Sequence, residues 1–305
     1  MGSKRKLSKK IIDYILANNP KTLYFYDLFG GGGAISFEAL KRPKLKEVHY
    51  NELNAGVVRL LEKIRDDGVT DEFYQWIDRD TFHKFKHYES WRAGLSTTCW
   101  SFGNDQNSYL YGKHIEDDKE LLHNIIVNNS SQALENFNDK YDLDIGLCSC
   151  KELNKRRTNI IKQIKQSWEC ENKPKIIRDA FNYQILDNLT RISSLIEVSK
   201  QDLKNLNISN ESYDEIRITT PIDETIIYLD PPYKDTAKYQ KNIDFDKLYE
   251  YIRNSPYKIY ISGYDMPFEV VEEFEHRSTL SATANNKVIE KLFCNIEEIY
   301  LDRLL

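Results

Sequence analysis

The chain has 305 residues, with 43 Lys and Arg against 48 Asp and Glu, a formal charge of -5 and 40% hydrophobic residues. That is apolar material for a sizeable core, in one large domain or in one domain with an insert. No apolar run approaches the roughly 20 residues that span a bilayer, and MGSKRKLSKK lacks the apolar segment of a signal peptide, so a cytoplasmic protein without membrane contact is expected. The five cysteines, few and odd in number, argue against a disulfide framework. A slightly acidic total does not exclude nucleic acid, because a net figure averages over surfaces and says nothing of patches.

In chain order, "TLYFYD" (22–27) and "KEVHYN" (46–51) read as buried strands, with a helical pattern in "AISFEALKR" between them. After about residue 75 this rhythm stops. Residues 75–180 are richer in Trp, His, Asn and base, and are expected to form a mainly helical inserted domain. Within it, 151–178 holds nine basic residues (Lys151, Lys155, Arg156, Arg157, Lys162, Lys165, Lys173, Lys175, Arg178) against Glu152, Glu169 and Glu171. The βα alternation resumes with "SLIEV" (194–198), "TIIYL" (225–229), the helical "FDKLYEYIRN" and "YKIYIS" (257–262). "RSTLSAT" and "EKLFCNI", joined by the polar "ANNKV", predict a closing antiparallel hairpin. The expected fold is thus α/β, a doubly wound, Rossmann-like sheet with an antiparallel C-terminal hairpin. The expected division places residues 1–74 and 181–305 in one domain and 75–180 in the insert.

Two motifs carry chemistry. "YDLFGGGGAISFEAL" (26–40) is a strand, four glycines and a helix start, a geometry that brings a ligand close to backbone and to a helix N-terminus. No Lys followed by Ser or Thr closes these glycines, as a phosphate loop would need, and Ser36 stands where a GxGxxG fingerprint wants its last glycine. About 20 residues on, Glu52 ends the second strand, where an acidic side chain reaches the ribose hydroxyls of a nucleoside held over such a loop. Asp202, in "VSKQDLKNL", is a candidate acceptor for the amino group of the same nucleoside's base.

The second motif is "YLDPPY" (228–233) at the end of the fourth strand. Asp230 would point into the crevice at the carboxyl ends of the strands. Pro231 and Pro232 donate no N–H, which leaves the carbonyl between them as a free acceptor. A carboxylate and a carbonyl side by side hold an NH₂ group, and Tyr233 offers a flat face to the ring that carries it. Drawing both amine hydrogens into hydrogen bonds takes the nitrogen lone pair out of conjugation and makes it a better nucleophile. For a metal the sequence is less specific: Cys148, Cys150 and Cys170 with His83 and His87 lack the paired CxxC spacing of a zinc site, so none is expected.

With these residues in this order, the chain resembles the DNA adenine methyltransferases of the Dam type, which use S-adenosylmethionine and carry DPPY as their catalytic motif. The resemblance covers roughly residues 1–60 and 190–300 and implies catalytic roles for Asp230, Pro231, Pro232 and Tyr233. It places Asp27, Phe29, Gly30, Gly32, Glu52 and Asp202 on the cofactor, and Lys4, in "GSK", on its methionine portion. Two departures are that the family usually has Asp where Glu52 stands and Phe where Leu203 follows Asp202. The resemblance also implies that the insert reads duplex DNA, after which one adenine is flipped out of the stack and methylated. "STTCWSFGNDQNSYLYGKHIED" (96–117) is similar to segments of phage-borne members, and its candidate DNA-binding residues are Trp100, Phe102, Asn104, Tyr109 and Lys113. Lys155, Arg156 and Arg157 are candidates for phosphate contact. The resemblance leaves room for a partner restriction endonuclease. Competing readings are an RNA or protein-amide methyltransferase, for which NPPY is more usual, a cytosine amino-methylating enzyme, and a DNA-binding regulator with a vestigial fold.

Overall fold

The computed structural model of the protein describes residues 4–102, 105–171, 188–192, 195, 203–232, 243–277 and 287–295. Seven strands form one sheet: β1 (Tyr24–Asp27), β2 (Glu47–Asn51), β3 (Leu206–Ser209), β4 (Thr225–Leu229), β5 (Lys258–Gly263), β6 (Glu269–Arg277) and β7 (Lys287–Cys294). Their order across the sheet is β3-β2-β1-β4-β5-β7-β6. The pairings from β3 to β5 are parallel, and those of β7 with β5 and β6 are antiparallel. Chain order reverses between β1 and β4, so a crevice opens at their carboxyl ends, where open α/β sheets bind ligands.

The period of two in β4 explains the unbroken apolar run Ile226–Leu229. Ile226 and Tyr228 enter one apolar layer and Ile227 and Leu229 the opposite one, so both faces of the strand are covered. On the first face lies α1 (Ser8–Asn18), whose Ile11, Ile12 and Ile15 are buried, with α2 (Ala34–Leu40) beside it. On the other lies α9 (Phe245–Asn254), burying Leu248, Tyr249 and Ile252. The Asp244 side chain caps α9 by accepting from the Asp246 and Lys247 N–H groups, and Asn54 caps α3 (Ala55–Asp67) in the same manner.

The helices that follow α3 are α4 (Arg79–Phe85), α5 (Trp91–Cys99), α6 (Glu116–Ile126), α7 (Ser131–Tyr141) and α8 (Leu153–Glu171). The stretch is helical, as its composition predicts. It shares its core with the sheet: one contiguous apolar cluster runs from Phe25 and Tyr50 through Leu60 and Leu95 to Phe137 and Ile160. The join is a close approach of α3 and α5, where a Cβ added at Gly94 would meet the Gly56 carbonyl oxygen at 1.9 Å.

Two strand expectations are corrected. The strand beside β2 is Leu206–Ser209 and not 194–198, of which Leu195 is helical and the rest lies outside the described residues. The segment "LNIS" is short and half polar because β3 lies at a sheet edge, so its apolar signal is weak. The closing hairpin exists, with β7 close to where it is expected, but its first strand is Glu269–Arg277 and ends where "RSTLSAT" begins. β6 is the other edge strand, and its "EVVEEFEHR" carries the charges that blunt edges against pairing with other chains. Those charges hide a strand from an apolar-run reading. The rest of "RSTLSAT" lies outside the described residues.

Candidate active site

The crevice is built from the ends of β1, β2 and β4. At β1, Asp27 is buried and accepts a hydrogen bond on Oδ2 from Ser36 Oγ of α2 at 2.7 Å, while Oδ1 has no hydrogen-bond partner among the described residues. Burial, aided by the nearby charges of Asp230 and Glu52 and opposed by Ser36, pushes its pKa up to about 7. The glycines take the chain from β1 to α2. Gly31 and Gly33 have φ of 49° and 74°, which favours glycine. A Cβ on Gly30 would sit 2.2 Å from the Tyr50 ring, whereas one on Gly32 would meet nothing within 4 Å, so Gly32 borders open space.

Glu52, after β2, turns back onto this loop. Its carboxylate accepts from the Gly31 N–H and the Asn54 N–H, each at 2.8 Å. Burial raises its pKa and these backbone donors hold the rise in check. Asn51, one residue earlier, is missed by sequence reasoning yet ties three strand ends together. Its amide donates to the Leu28 and Glu211 carbonyls at 3.1 and 3.0 Å, and its Oδ1 accepts from the Glu211 N–H at 3.0 Å. The loop leaving β3 is thereby pinned beside β2, which puts Tyr213 on Phe29, rings stacked with centroids 5.3 Å apart. The signal for this loop is the polar run "SNESY", legible only once β3 is known to end at Ser209. Asp202 lies outside the described residues; the residues that leave β3 toward the crevice are 210–213.

At β4, Asp230 is half-buried and its Oδ1 lies 3.0 Å from Lys4 Nζ. Lys4 also reaches Glu290 Oε1 of β7 at 2.8 Å. Pro231 is buried and Pro232 half-buried, whereas Tyr233 lies outside the described residues. The structure thus brings Lys4, Asp27, Phe29, Gly30, Gly32, Glu52 and Asp230, spread over 227 positions of sequence, to the carboxyl end of one sheet.

Of the DNA-binding candidates, Phe102 is 54% exposed and Lys113 and Lys155 are exposed, the last paired with Glu152 at 2.8 Å. The loop that carries Phe102 is tied to the start of α3, since Asn54 Nδ2 donates to Gln106 Oε1 at 2.8 Å. Three candidates are corrected. Trp100, 0% exposed, packs edge-on against Trp76 with centroids 4.9 Å apart, and cannot stack on a base. Tyr109 is buried beside it, its hydroxyl donating to the Ile77 carbonyl at 2.7 Å. Arg156 closes the C-terminus of α6, donating to the Ile126 and Val127 carbonyls at 2.7 and 3.0 Å, a helix-capping use of guanidinium. Arg157 is half-buried, and Asn104 lies outside the described residues.

A glycine loop, a carboxylate after the next strand and an Asp-Pro-Pro strand end thus face one another across the switch point, where open α/β sheets bind their ligands. The family model of D12 class N6 adenine-specific DNA methyltransferases matches residues 1–302, and the chain belongs to that family. Its activity is adenine-specific DNA methylation, its substrate duplex DNA. No curated protein matches the chain. Among the described residues no helix is long and apolar enough to cross a membrane.

The buried Asp27 carries a stability prediction. Its native pKa of about 7 lies above the unfolded value of 3.8, so the neutral carboxyl favours folding, and that contribution fades as pH rises from about 4 through 7. Asp27→Asn, neutral at all pH, is expected to gain on the wild type by roughly 2–3 kcal/mol between pH 5 and 8. Urea unfolding of both at the two pH values checks this, and a constant gap contradicts it.

Proposed function

We propose that the protein uses S-adenosylmethionine to methylate the exocyclic amino group of an adenine flipped out of duplex DNA, with Asp230 and the Pro231 carbonyl as the acceptors that hold the amine. The observation that carries this reading is the placement of Asp230 at the β4 end, across the switch point from Asp27 and the glycine loop. Three features fit a cofactor that is cationic at sulfur and at its amino group. Asp27 and Glu52 converge on the crevice, Asp27 Oδ1 is buried without a hydrogen-bond partner among the described residues, and Gly32 leaves room for a ligand against the backbone. Asp27 would face the amino group and Glu52 the ribose. Phe29 and Tyr213 would supply flat surfaces for the adenine ring, with Asp202 as the acceptor for its amino group.

S-Adenosylmethionine supplies an electrophilic methyl group, whose bonding pair stays on sulfur when the adenine nitrogen takes the carbon. The protein's part is positional and electrostatic. Asp230 and the Pro231 carbonyl accept the two amine hydrogens and aim the nitrogen lone pair across the crevice. The Asp230 carboxylate then takes the proton that the nitrogen gives up. Tyr233 would stack on the flipped base.

Residues 75–180 serve in this reading as the target-recognition insert, on a core shared with the catalytic part. Exposed Phe102 and Lys113, with Asn104 and Arg157, stand as its DNA contacts. A groove on α8 lined by Asn154, Lys155, Thr158, Asn159 and Lys162 offers ammonium, amide and hydroxyl donors of the kind that contact phosphate. The test is incubation with unmethylated duplex DNA and labelled S-adenosylmethionine, digestion to nucleosides and mass spectrometry. Label in N6-methyl-2′-deoxyadenosine is expected. Label on cytosine, or on RNA alone, overturns the substrate assignment.

A further inference from the structure

The antiparallel hairpin does more than complete the sheet. Because β7 runs opposite to β5, with Gly263 of β5 opposite Lys291, its first residues come to the edge where β1, β4 and β5 end. Glu290 sits there with 2% of its surface exposed, which is unusual for a carboxylate in a strand that packs mostly Leu292, Phe293 and Cys294. Its Oε1 lies 2.8 Å from Lys4 Nζ, and the same nitrogen lies 3.0 Å from Asp230 Oδ1. Lys4 is itself 7% exposed, so its ammonium is held between two carboxylates away from bulk water. Such a cation needs good geometry on both sides to offset its desolvation.

We propose that Glu290 is a positioning residue for methyl transfer: it anchors Lys4 so that the ammonium occupies Oδ1 of Asp230, which fixes the carboxylate's rotamer and leaves Oδ2 for the adenine amine. The inference rests on the catalytic reading of Asp230 given above. Lys4 alone, on a flexible four-carbon stem, could swing to either oxygen of Asp230 or away from both. A second carboxylate, buried on a rigid strand, removes that freedom. Glu290 touches neither the amine nor the methyl group in this arrangement, and its effect passes through Lys4.

The test is single-turnover methylation at saturating cofactor and DNA, with cofactor affinity and thermal unfolding measured alongside. Glu290→Gln, close to isosteric, is expected to lower the methylation rate 10- to 100-fold while cofactor affinity changes less than about threefold. Glu290→Asp should recover part of the rate. Lys4→Met with Glu290→Gln should be no slower than Lys4→Met alone, because both changes cut the same link. Full activity in Glu290→Gln, or single losses that multiply in the double variant, overturns the proposal. Should Glu290→Gln fail to fold, the double variant, which buries no lone ammonium, is compared with Lys4→Met and decides it. Wild-type protein and Asp230→Ala run as controls: if the wild type does not methylate adenine, or Asp230→Ala does so at the full rate, the catalytic reading itself fails, and not this inference.

Discussion

Asp230→Ala is expected to abolish methyl transfer to DNA, with a loss of roughly 10²–10³-fold or more in the single-turnover rate, while cofactor binding stays near wild type. The size follows from removing a preorganised acceptor at the reacting amine, where mutation of one comparable group costs about that factor. The substitution also loosens the amine's aim along the line of attack, which adds to the loss. Folding should survive, because Lys4 keeps its contact with Glu290 when Asp230 is gone, so no buried ammonium is stranded. Single-turnover kinetics with labelled cofactor, together with direct titration of cofactor into the variant, separates the two effects. Wild-type turnover in Asp230→Ala would remove Asp230 from the chemistry.

Trp100→Ala is expected to destabilise the protein by about 3–5 kcal/mol, the cost of deleting a large buried aromatic side chain. That is a large share of the 5–15 kcal/mol typical of whole proteins. Trp100 is enclosed by Trp76, Tyr109, Tyr111 and His123, a cluster in which burial depresses the His123 pKa to about 4 and keeps the ring neutral as it bonds the Tyr74 carbonyl at 2.8 Å. Phe102→Ala, two positions on, should leave stability within about 0.5 kcal/mol, since the ring is mostly in solvent. Denaturant unfolding of the pair gives the contrast directly. Equal stability in both variants would contradict the packing role assigned to Trp100.

The catalytic end of the molecule was legible in sequence because its motifs are local. "DLFGGGG" and "YLDPPY" each place their chemistry within a few residues of a buried strand, and β1 and β4 form where their apolar runs predict. Glu52 was legible for the same reason, being the acidic residue just past β2. The edge strands β3 and β6 were not, because a strand covered on one side, or charged along its rim, lacks the continuous apolar run that marks a central strand. The misplacement of β3 hid Tyr213. Between residues 96 and 117, aromatic residues at alternating positions read equally as a stacking surface or as a core, and only burial separates Trp100 and Tyr109 from Phe102.

By itself, then, the sequence determined the α/β class, the glycine loop, the Asp-Pro-Pro-Tyr strand end and the family, all of which are encoded by neighbours in the chain. Only the tertiary structure decided that Lys4, Asp230 and Glu290 meet, across separations of 226 and 286 residues in sequence set by sheet order and strand direction. The same holds for Arg156, whose guanidinium closes the end of α6. Spacing along a chain reports which residues share an element, whereas the partner of a buried charge is set by which elements the sheet brings side by side.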